Sequence, residues 1–308
     1  MIHSNPFNGR STADHVLAGV DLTGRRFVVT GCSSGIGFET MNSLAANGAQ
    51  VVGLAKSESS AREACARVGP TCTAVACDLS DLDSVADAAA AIRALDAPLD
   101  AIVANAGTAY LPALRTRYGV EMQFLTNHIG HFALIGQLSN MVRNGTGRIV
   151  LVSGATRIKP SPPEGIMFDN LDGRRFYQPS TFYRQSKLAV AVYAKELARR
   201  LQSRGVAVNA VDPGAVAGTR FERHLRRPLL TRSIARLFKK NARRAAATQA
   251  LLAASPRVTG ISGELWANCR ITEGPALLGD AELAKRLWEV SERIVDSHTL
   301  PEKLRAAA

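Results

Sequence analysis

Residues 26–37 of the chain read RFVVTGCSSGIG, and this stretch decides the fold. Its first half is a short apolar run that predicts a buried strand, and a helix is expected to start near Phe38. The glycines between them allow a tight turn and close approach of the backbone to a ligand. Free N–H groups and partial positive charge at a helix start favour a pyrophosphate. The spacing G-x-x-x-G-x-G alone is weak evidence for a pyrophosphate-binding loop, but the flanking strand and helix strengthen the prediction.

A second informative stretch is YRQSK, residues 183–187. Tyr183 and Lys187 are four positions apart, so on a helix they lie on one face. A free phenol has a pKa near ~10, and a neighbouring ammonium favours the phenolate and lowers that pKa. The predicted result is a group that exchanges a proton near neutral pH. Taken by itself the pair fits an exposed helix better, and other motifs must decide between these alternatives.

Strands alternate with helices along the chain, which predicts an α/β fold with a mainly parallel, doubly wound sheet of Rossmann type. We expect seven strands, at residues 26–30, 50–54, 73–76, 101–103, 148–152, 206–211 and near 263–266. Alanine-rich helices fill the gaps, for example at 80–95 and 185–204. The expected organisation is an N-terminal arm (1–20), a single domain (21–298) that includes a basic lid (215–245), and a C-terminal tail (299–308).

Four motifs together resemble the short-chain dehydrogenase/reductase family over about residues 20 to 295. They are Thr30-Gly31-x-x-x-Gly35-Ile36-Gly37, Asn105-Ala106-Gly107, Ser153 and Tyr183-x-x-x-Lys187. The stretches TNHIGHF (126–132) and QSKLA (185–189) are similar to the retinol-dehydrogenase-like branch, and residues 11–19 are similar to its bacterial members. The resemblance implies a nicotinamide-dependent oxidoreductase that interconverts a carbonyl and an alcohol.

The resemblance implies a dinucleotide site built from loops that follow successive strands. The expected contacts are Gly31, Ser33, Ser34, Gly35, Ile36, Gly37, Lys56, Asp78, Leu79, Asn105, Ala106, Gly107, Tyr183, Lys187, Pro213, Gly214 and Val216. Asp78 would contact adenine or else cap a helix, although Ser80 is the better cap. Lys56 stands where an acidic residue would bind a ribose diol, so we expect NADP(H) over NAD(H). A plain surface lysine is the alternative at that position.

The implied catalytic set is Asn127, Ser153, Tyr183 and Lys187. Ser153 ends the fifth predicted strand, where ligands gather in open parallel sheets, and would hold the substrate oxygen. Tyr183 would be the general acid in reduction and the base in oxidation. By resemblance, Lys187 lowers the pKa of the phenol and binds nicotinamide ribose, and Asn127 distorts its helix and anchors a water. The protein would mainly position and polarise the reactants.

Histidines and cysteines raise the question of a metal site. His128 and His131 are three apart, but no third ligand accompanies them, so we favour structural or loop-orienting roles and expect no metal. The five cysteines form no framework or metal-ligand spacing, and we expect reduced thiols in a cytoplasmic protein.

The net charge of +12 is concentrated between residues 220 and 244, which contain ten Lys or Arg and one acidic residue, Glu222. Leu230, Ile234 and Leu237 have helical spacing, so the segment resembles a basic amphipathic helix. A solvated substrate lid is the first interpretation. Peripheral contact with a membrane surface is the second, and an acidic or nucleic-acid partner is the third and least favoured.

Composition and length exclude several classes of protein. The 308 residues are 46% hydrophobic, with no apolar stretch long enough to span a bilayer and no secretion-signal core. We therefore expect an NADP(H)-dependent oxidoreductase acting on a bulky, mostly apolar small molecule, with no nucleic-acid partner and a possible homo-oligomer. The alternative is a non-catalytic NADP(H)-binding sensor or interaction protein, which would not need Ser153, Tyr183 and Lys187.

Overall fold

The inner strands of the central sheet are short, apolar and largely buried on both faces, as expected for a parallel sheet. The computed structural model describes residues 5–154, 162–216 and 241–299. The sheet contains β1 Arg26–Thr30, β2 Gln50–Ala55, β3 Cys72–Ala76, β4 Ala101–Ala104, β7 Arg148–Val152, β8 Ala207–Asp212, β9 Leu265–Ala267 and β10 Arg270–Ile271. The short strands β5 Thr116–Arg117 and β6 Val120–Glu121 form a separate antiparallel pair. The order in the main sheet is β10-β9-β8-β7-β4-β1-β2-β3.

Helices cover both faces of this sheet, which makes it doubly wound. They are α1 Ala13–Leu17, α2 Gly35–Ala46, α3 Glu58–Val68, α4 Leu82–Arg93, α5 Met122–Phe124, α6 Gly130–Leu138, α7 Pro179–Arg200, α8 Ala242–Ala254 and α9 Ala281–Thr299. One face packs against α1, α2, α3 and α8, and the other against α4, α6, α7 and α9. Strand β1 shows why both faces are apolar: Val28 joins one core, whereas Phe27 and Val29 join the other.

The position of β1 determines where a ligand can bind. It lies between β2 and β4, so the chain winds in opposite directions on its two sides. In open parallel sheets, a crevice forms at this reversal, outside the carboxyl ends of the strands. The loops that follow β1 and β4 meet there, and they carry the glycine stretch and Asn105–Gly107.

The predicted α/β class and parallel sheet are confirmed, with several differences in detail. The main sheet has eight strands and not seven, because a turn at Asn268 and Cys269 (φ 56° and 60°) adds the antiparallel β10. Helix α2 begins at Gly35, before the expected Phe38. Helix α7 runs from Pro179 to Arg200, so it begins and ends earlier than the predicted 185–204.

The ends of the chain and the basic segment are only partly described. Helix α1, within the predicted arm, buries Ala13, Val16 and Leu17 in the core that contains α8. The predicted lid and the basic run lie mostly outside the described residues, which resume at Asn241, the N-cap of α8. The tail beyond α9 also lies outside them. No helix in the described part of the chain combines the length and apolarity needed to cross a bilayer.

Candidate active site

The glycine loop between β1 and α2 presents uncapped backbone N–H groups. Ser34 is the N-cap of α2, but its side chain makes no capping hydrogen bond, and the first turn contains no acidic residue. Gly31 and Gly35 have φ angles of 71° and 62°, in the region that favours glycine. The first turn is therefore open to an anion, and this arrangement fits the pyrophosphate of a dinucleotide.

Thr30, the last residue of β1, joins this loop to the loop after β4. Its hydroxyl accepts hydrogen bonds from the backbone N–H groups of Asn105 (2.9 Å) and Ala106 (3.0 Å). The Asn105 side-chain amide donates back to Thr30 O at 2.9 Å. A Cβ on Gly31 would approach the Cα of Ala106 to 2.9 Å, so both loops are held in close contact.

Lys56 and Asp78 follow β2 and β3 at the same edge of the sheet, and they form an ion pair. Lys56 Nζ lies 3.0 Å from Asp78 Oδ2, and the Lys56 side chain is 79% exposed. Asp78 also accepts hydrogen bonds from the backbone and hydroxyl of Ser80. Lys56 therefore has a carboxylate neighbour that lies 22 positions away in the sequence and follows the next strand. Helix α4 is capped by Asp81, so the prediction that Ser80 is the cap was wrong.

Asn127 lies in a π-helical turn, Leu125–Ile129, between α5 and α6. Its side chain is almost fully buried. Oδ1 accepts a hydrogen bond from the N–H of Thr108 (2.8 Å), and Nδ2 donates to Thr108 O (3.0 Å) and to Ser186 Oγ (2.9 Å). Ser186 Oγ in turn donates to Tyr183 O at 2.7 Å. Asn127 thus links the loop after β4 to the helix that carries Tyr183.

The other three predicted catalytic residues meet at the carboxyl end of β7. Ser153 follows that strand and is buried, and Lys187 Nζ donates to Val152 O at 2.9 Å. The Cβ position of Gly154 is 3.7 Å from the Tyr183 hydroxyl. On the other side, a Cβ on Gly107 would lie 3.4 Å from Lys187 Nζ and 3.0 Å from Asn127 Oδ1. The structure therefore brings the four side chains together beside the loop after β4, which contacts the glycine loop.

The protonation behaviour of this cluster differs from the prediction. Burial raises the pKa of Tyr183, and the nearby Tyr110 and Asp212 raise it further. Lys187 was expected to lower the pKa of Tyr183. The protein side chains alone therefore do not produce that lowering. Burial lowers the pKa of Lys187 to about 8, against the opposing effect of Asp212. The amine remains mostly protonated at neutral pH, and an ammonium has three donors, of which Val152 O takes one.

His131 connects the two halves of the site. Burial lowers its pKa to about 4, so the ring is neutral at pH 7. Nδ1 lies 3.0 Å from Asn127 O, which can only accept, so Nδ1 carries the proton. Nε2 then accepts from the Thr30 hydroxyl at 2.9 Å. His128 points elsewhere, to Ser291 Oγ at 2.8 Å, so the two histidines have separate structural contacts.

Other residues of the site gave no usable signal in the sequence. Tyr110 has a positive φ of 54°, and its ring lies 4.9 Å from that of Tyr183. Gln249 on α8 hydrogen-bonds to Thr40 Oγ1 and to Asn105 Oδ1 (3.4 Å). Both are long-range contacts that spacing along the chain does not reveal.

The remaining predicted cofactor residues lie at the ends of neighbouring strands. Leu79 is buried beyond β3, and Pro213, Gly214 and Val216 follow β8. Gly214 N–H donates to Asp212 Oδ1 at 2.8 Å, which fixes the start of this loop. Ser33 and Ile36 lie within the glycine loop and the first turn of α2. Apart from Tyr183 and Lys187, which lie within α7, the predicted cofactor residues are thus on loops or at a helix start along one edge of the sheet.

Comparison with known proteins agrees with this geometry. A family model described as short chain dehydrogenase matches residues 25–164. The WW domain-containing oxidoreductase of Homo sapiens is 35% identical over 302 residues, which cover 94% of this chain and 72% of that protein. This chain belongs to the short-chain dehydrogenase family. It is therefore an oxidoreductase that uses a nicotinamide cofactor and a small-molecule substrate.

One further relative of this short-chain dehydrogenase supports the finer resemblance, and one solved structure supports the fold. Retinol dehydrogenase 14 of Mus musculus is 34% identical over 294 residues, covering 89% of this chain and 86% of that protein. A crystal structure of a protein from Mycobacterium Paratuberculosis has a TM-score of 0.70 at 26% identity, covering 93% of this chain and 97% of the other. The resemblance to retinol-dehydrogenase-like proteins is confirmed.

Proposed function

We propose that this short-chain dehydrogenase is an NADP(H)-dependent enzyme that interconverts a carbonyl and an alcohol, with Tyr183 as the proton donor and acceptor. One observation carries the proposal. The buried phenol of Tyr183, the hydroxyl of Ser153 and the ammonium of Lys187 lie together at the carboxyl edge of the sheet, beside the loop that is open to a pyrophosphate.

The residues fit a dinucleotide, which when bound would supply or accept the hydride and, in its oxidised form, a positive charge near the phenol. The uncapped start of α2 would hold the pyrophosphate, and Lys187 has donors left for ribose hydroxyls. Ser153 would hold the substrate oxygen, and Tyr183 would deliver its proton to that oxygen in reduction and remove it in oxidation. Asn127 would hold the N-terminal part of α7, which carries Tyr183, by its hydrogen bond to Ser186.

Lys56 supports the choice of NADP(H). It follows β2, next to the expected position of the adenosine ribose, and its ion pair with Asp78 joins a lysine that is 79% exposed to a carboxylate that is 26% exposed. Ion pairs at the protein surface stabilise a protein by only ~0–1 kcal/mol, so an incoming 2′-phosphate could attract the ammonium at little cost. An acidic residue at position 56 would instead repel that phosphate.

Exposed apolar side chains on two loops that meet near the start of α7 support a bulky, mostly apolar substrate. The loop after β4 and the loop before α7 are joined by a hydrogen bond from the Tyr177 hydroxyl to Leu111 O (2.6 Å). Leu114 and Phe176, on these loops, are 37% and 51% exposed, although large apolar side chains are usually buried. The ring of Tyr110 adds a further wall beside the phenol.

The test is turnover by Tyr183→Phe across a panel of apolar and small polar ketones with NADPH and NADH. Loss of the phenolic proton should lower kcat by about 10²–10⁴-fold. Tyr193→Phe is the matched control, because it removes a buried hydroxyl from the same helix outside the site. Activity of Tyr183→Phe within a few-fold of the unmodified enzyme would contradict the catalytic assignment. Dinucleotide binding by the unmodified protein without turnover of any ketone in the panel would favour the alternative of a dinucleotide sensor.

A further inference from the structure

Four sulfur atoms meet around Gly53 in the middle of β2. The Cβ position of Gly53 is 2.8 Å from Met41 Sδ, 3.0 Å from Cys65 Sγ and 3.1 Å from Cys32 Sγ. Cys72 Sγ completes the group, at 3.4 Å from Met41 Sδ. We call these four residues the sulfur cluster. It is drawn from the glycine loop, α2, α3 and β3, so it lies directly behind the dinucleotide-binding loop.

Within the sulfur cluster, Cys65 and Cys72 form a distinct pair. The Cys72 thiol donates to Met41 Sδ (3.4 Å), and the interaction of Cys72 with Cys65 lowers the pKa of Cys65 and raises that of Cys72. Tight backbone contacts hold the turn between them: Gly69 N–H donates to Cys65 O (2.9 Å), and Cys72 N–H donates to Gly69 O (3.2 Å). Cys65 is buried and Cys72 is partly exposed, so a small solute can reach the pair.

The third thiol, Cys32, is set apart by its environment. It is fully buried, and burial together with the charge of Cys65 raises its pKa to about 12. The reactive thiolate form is therefore assigned to Cys65. No group of three or more His, Cys, Asp or Glu side chains within the described residues has an arrangement suited to a metal ion.

We propose that Cys65 and Cys72 are a redox modification site, at which hydrogen peroxide forms a reversible disulfide that weakens dinucleotide binding. In the first step, the Cys65 thiolate attacks one peroxide oxygen, giving a sulfenic acid and releasing hydroxide. In the second step, the Cys72 sulfur attacks the Cys65 sulfur, the S–O bond breaks, and water leaves. Overall, two thiols are oxidised to one disulfide, and one peroxide is reduced to two waters.

The effect on the dinucleotide follows from what the pair touches. A disulfide bond holds its sulfur atoms at about 2.05 Å, much closer than sulfurs in a non-bonded contact. Drawing Cys65 and Cys72 together removes packing from Cys32 and Met41. Cys32 lies within the glycine loop, and Met41 lies on α2, whose first turn is open to the pyrophosphate. Close-packed interiors transmit such shifts, so the loop should lose its binding geometry.

The experiment treats the reduced, full-length protein with a slight excess of hydrogen peroxide, followed by peptide mapping without reduction. We expect a Cys65–Cys72 cross-linked peptide, a loss of two of the five titratable thiols, and reversal by dithiothreitol. The dissociation constant for whichever of NADPH or NADH binds more tightly should rise at least about fivefold on oxidation and recover on reduction. This readout is independent of Tyr183 and of the choice between the two cofactors.

Variants separate the pair from the other cysteines. Cys72→Ser, which changes a partly exposed position, should abolish both the cross-link and the affinity change, whereas Cys269→Ser, a buried thiol that contacts Thr248, should preserve them. Over-oxidation of Cys65 without a cross-link would overturn the proposal, as would a cross-link to Cys32. A Cys65–Cys72 bridge that leaves the dissociation constant unchanged would overturn the link to dinucleotide binding.

Discussion

Two regions at the same edge of the sheet are built in different ways. The dinucleotide loop is made of backbone: glycines, an uncapped helix start and amides tied to Thr30. The proton-transfer cluster is made of side chains from three elements, and all four are buried. A backbone site depends on the shape of the chain, whereas a side-chain site depends on its electrostatic surroundings. Substitutions in the two sites should therefore impair function in different ways.

The largest effect is expected at the side-chain site. Lys187→Met removes the buried ammonium near Tyr183 while keeping a similar volume, so kcat should fall by about 10³-fold. Lys195→Met, an exposed position two turns further along α7, is the control and should change kcat little. Steady-state kinetics and circular dichroism of both variants check this. If the two lysine variants lose activity equally, the assignment of Lys187 is wrong.

The next effect is expected in the backbone site. A Cβ on Gly37 would collide with Gly31 O and the side-chain amide of Asn105, so Gly37→Ala must displace the glycine loop. We expect dinucleotide affinity to fall about 100-fold, which corresponds to roughly 3 kcal/mol. The matched control is Gly136→Ala in α6, where an added Cβ meets nothing within 4 Å. Fluorescence titration with NADPH should show normal binding by the control Gly136→Ala. Normal binding by Gly37→Ala as well would contradict the proposed role of the glycine loop.

A smaller effect is expected at the boundary of the backbone site. Lys56→Met removes the proposed phosphate contact, so affinity for NADPH should fall about tenfold, or roughly 1.4 kcal/mol, whereas affinity for NADH should hardly change. Titration of both cofactors, with exposed Lys195→Met as control, measures the ratio. Equal losses for both cofactors would show that Lys56 does not select NADP(H).

Near the side-chain site we expect an effect on folding stability and not on ligand binding. Glu121 is buried, caps α5 through the N–H groups of Gln123 (2.8 Å) and Phe124 (3.1 Å), and burial raises its pKa to about 7 from 4.5. Between these pKa values the native state binds more protons than the unfolded state. The free energy of unfolding should therefore fall as pH rises from 4.5 to about 7, by at most about 3 kcal/mol, and then level off.

Glu121→Gln should remove this pH-dependent part, since an amide does not ionise. Urea unfolding of both proteins at pH 5 and pH 8 provides the measurement. The unmodified protein should lose more stability than the variant between these two pH values. An identical loss in both would mean that Glu121 does not titrate in this window.

The difference between the two regions also explains what could be predicted from the sequence. Gly31, Gly35 and Gly37 could be predicted from the sequence because their spacing reflects a backbone shape. Tyr183 and Lys187 could be predicted because a helix places them on one face. The direction of the Tyr183 pKa was not predictable, because burial and Asp212 belong to the folded environment. Asp78 beside Lys56, His131 beside Thr30 and Gln249 beside Asn105 are likewise contacts between distant segments.

The most direct test is titration of the Tyr183 phenol by ultraviolet difference spectroscopy, with Tyr183→Phe as the subtraction reference. In the protein alone, we expect no ionisation of Tyr183 below about pH 10, the ordinary phenol pKa. With saturating NADP⁺, the positively charged ring should move the titration at least about two pH units towards neutrality, a change worth roughly 3 kcal/mol. If saturating NADP⁺ leaves the titration of Tyr183 unmoved, its role in proton transfer is contradicted.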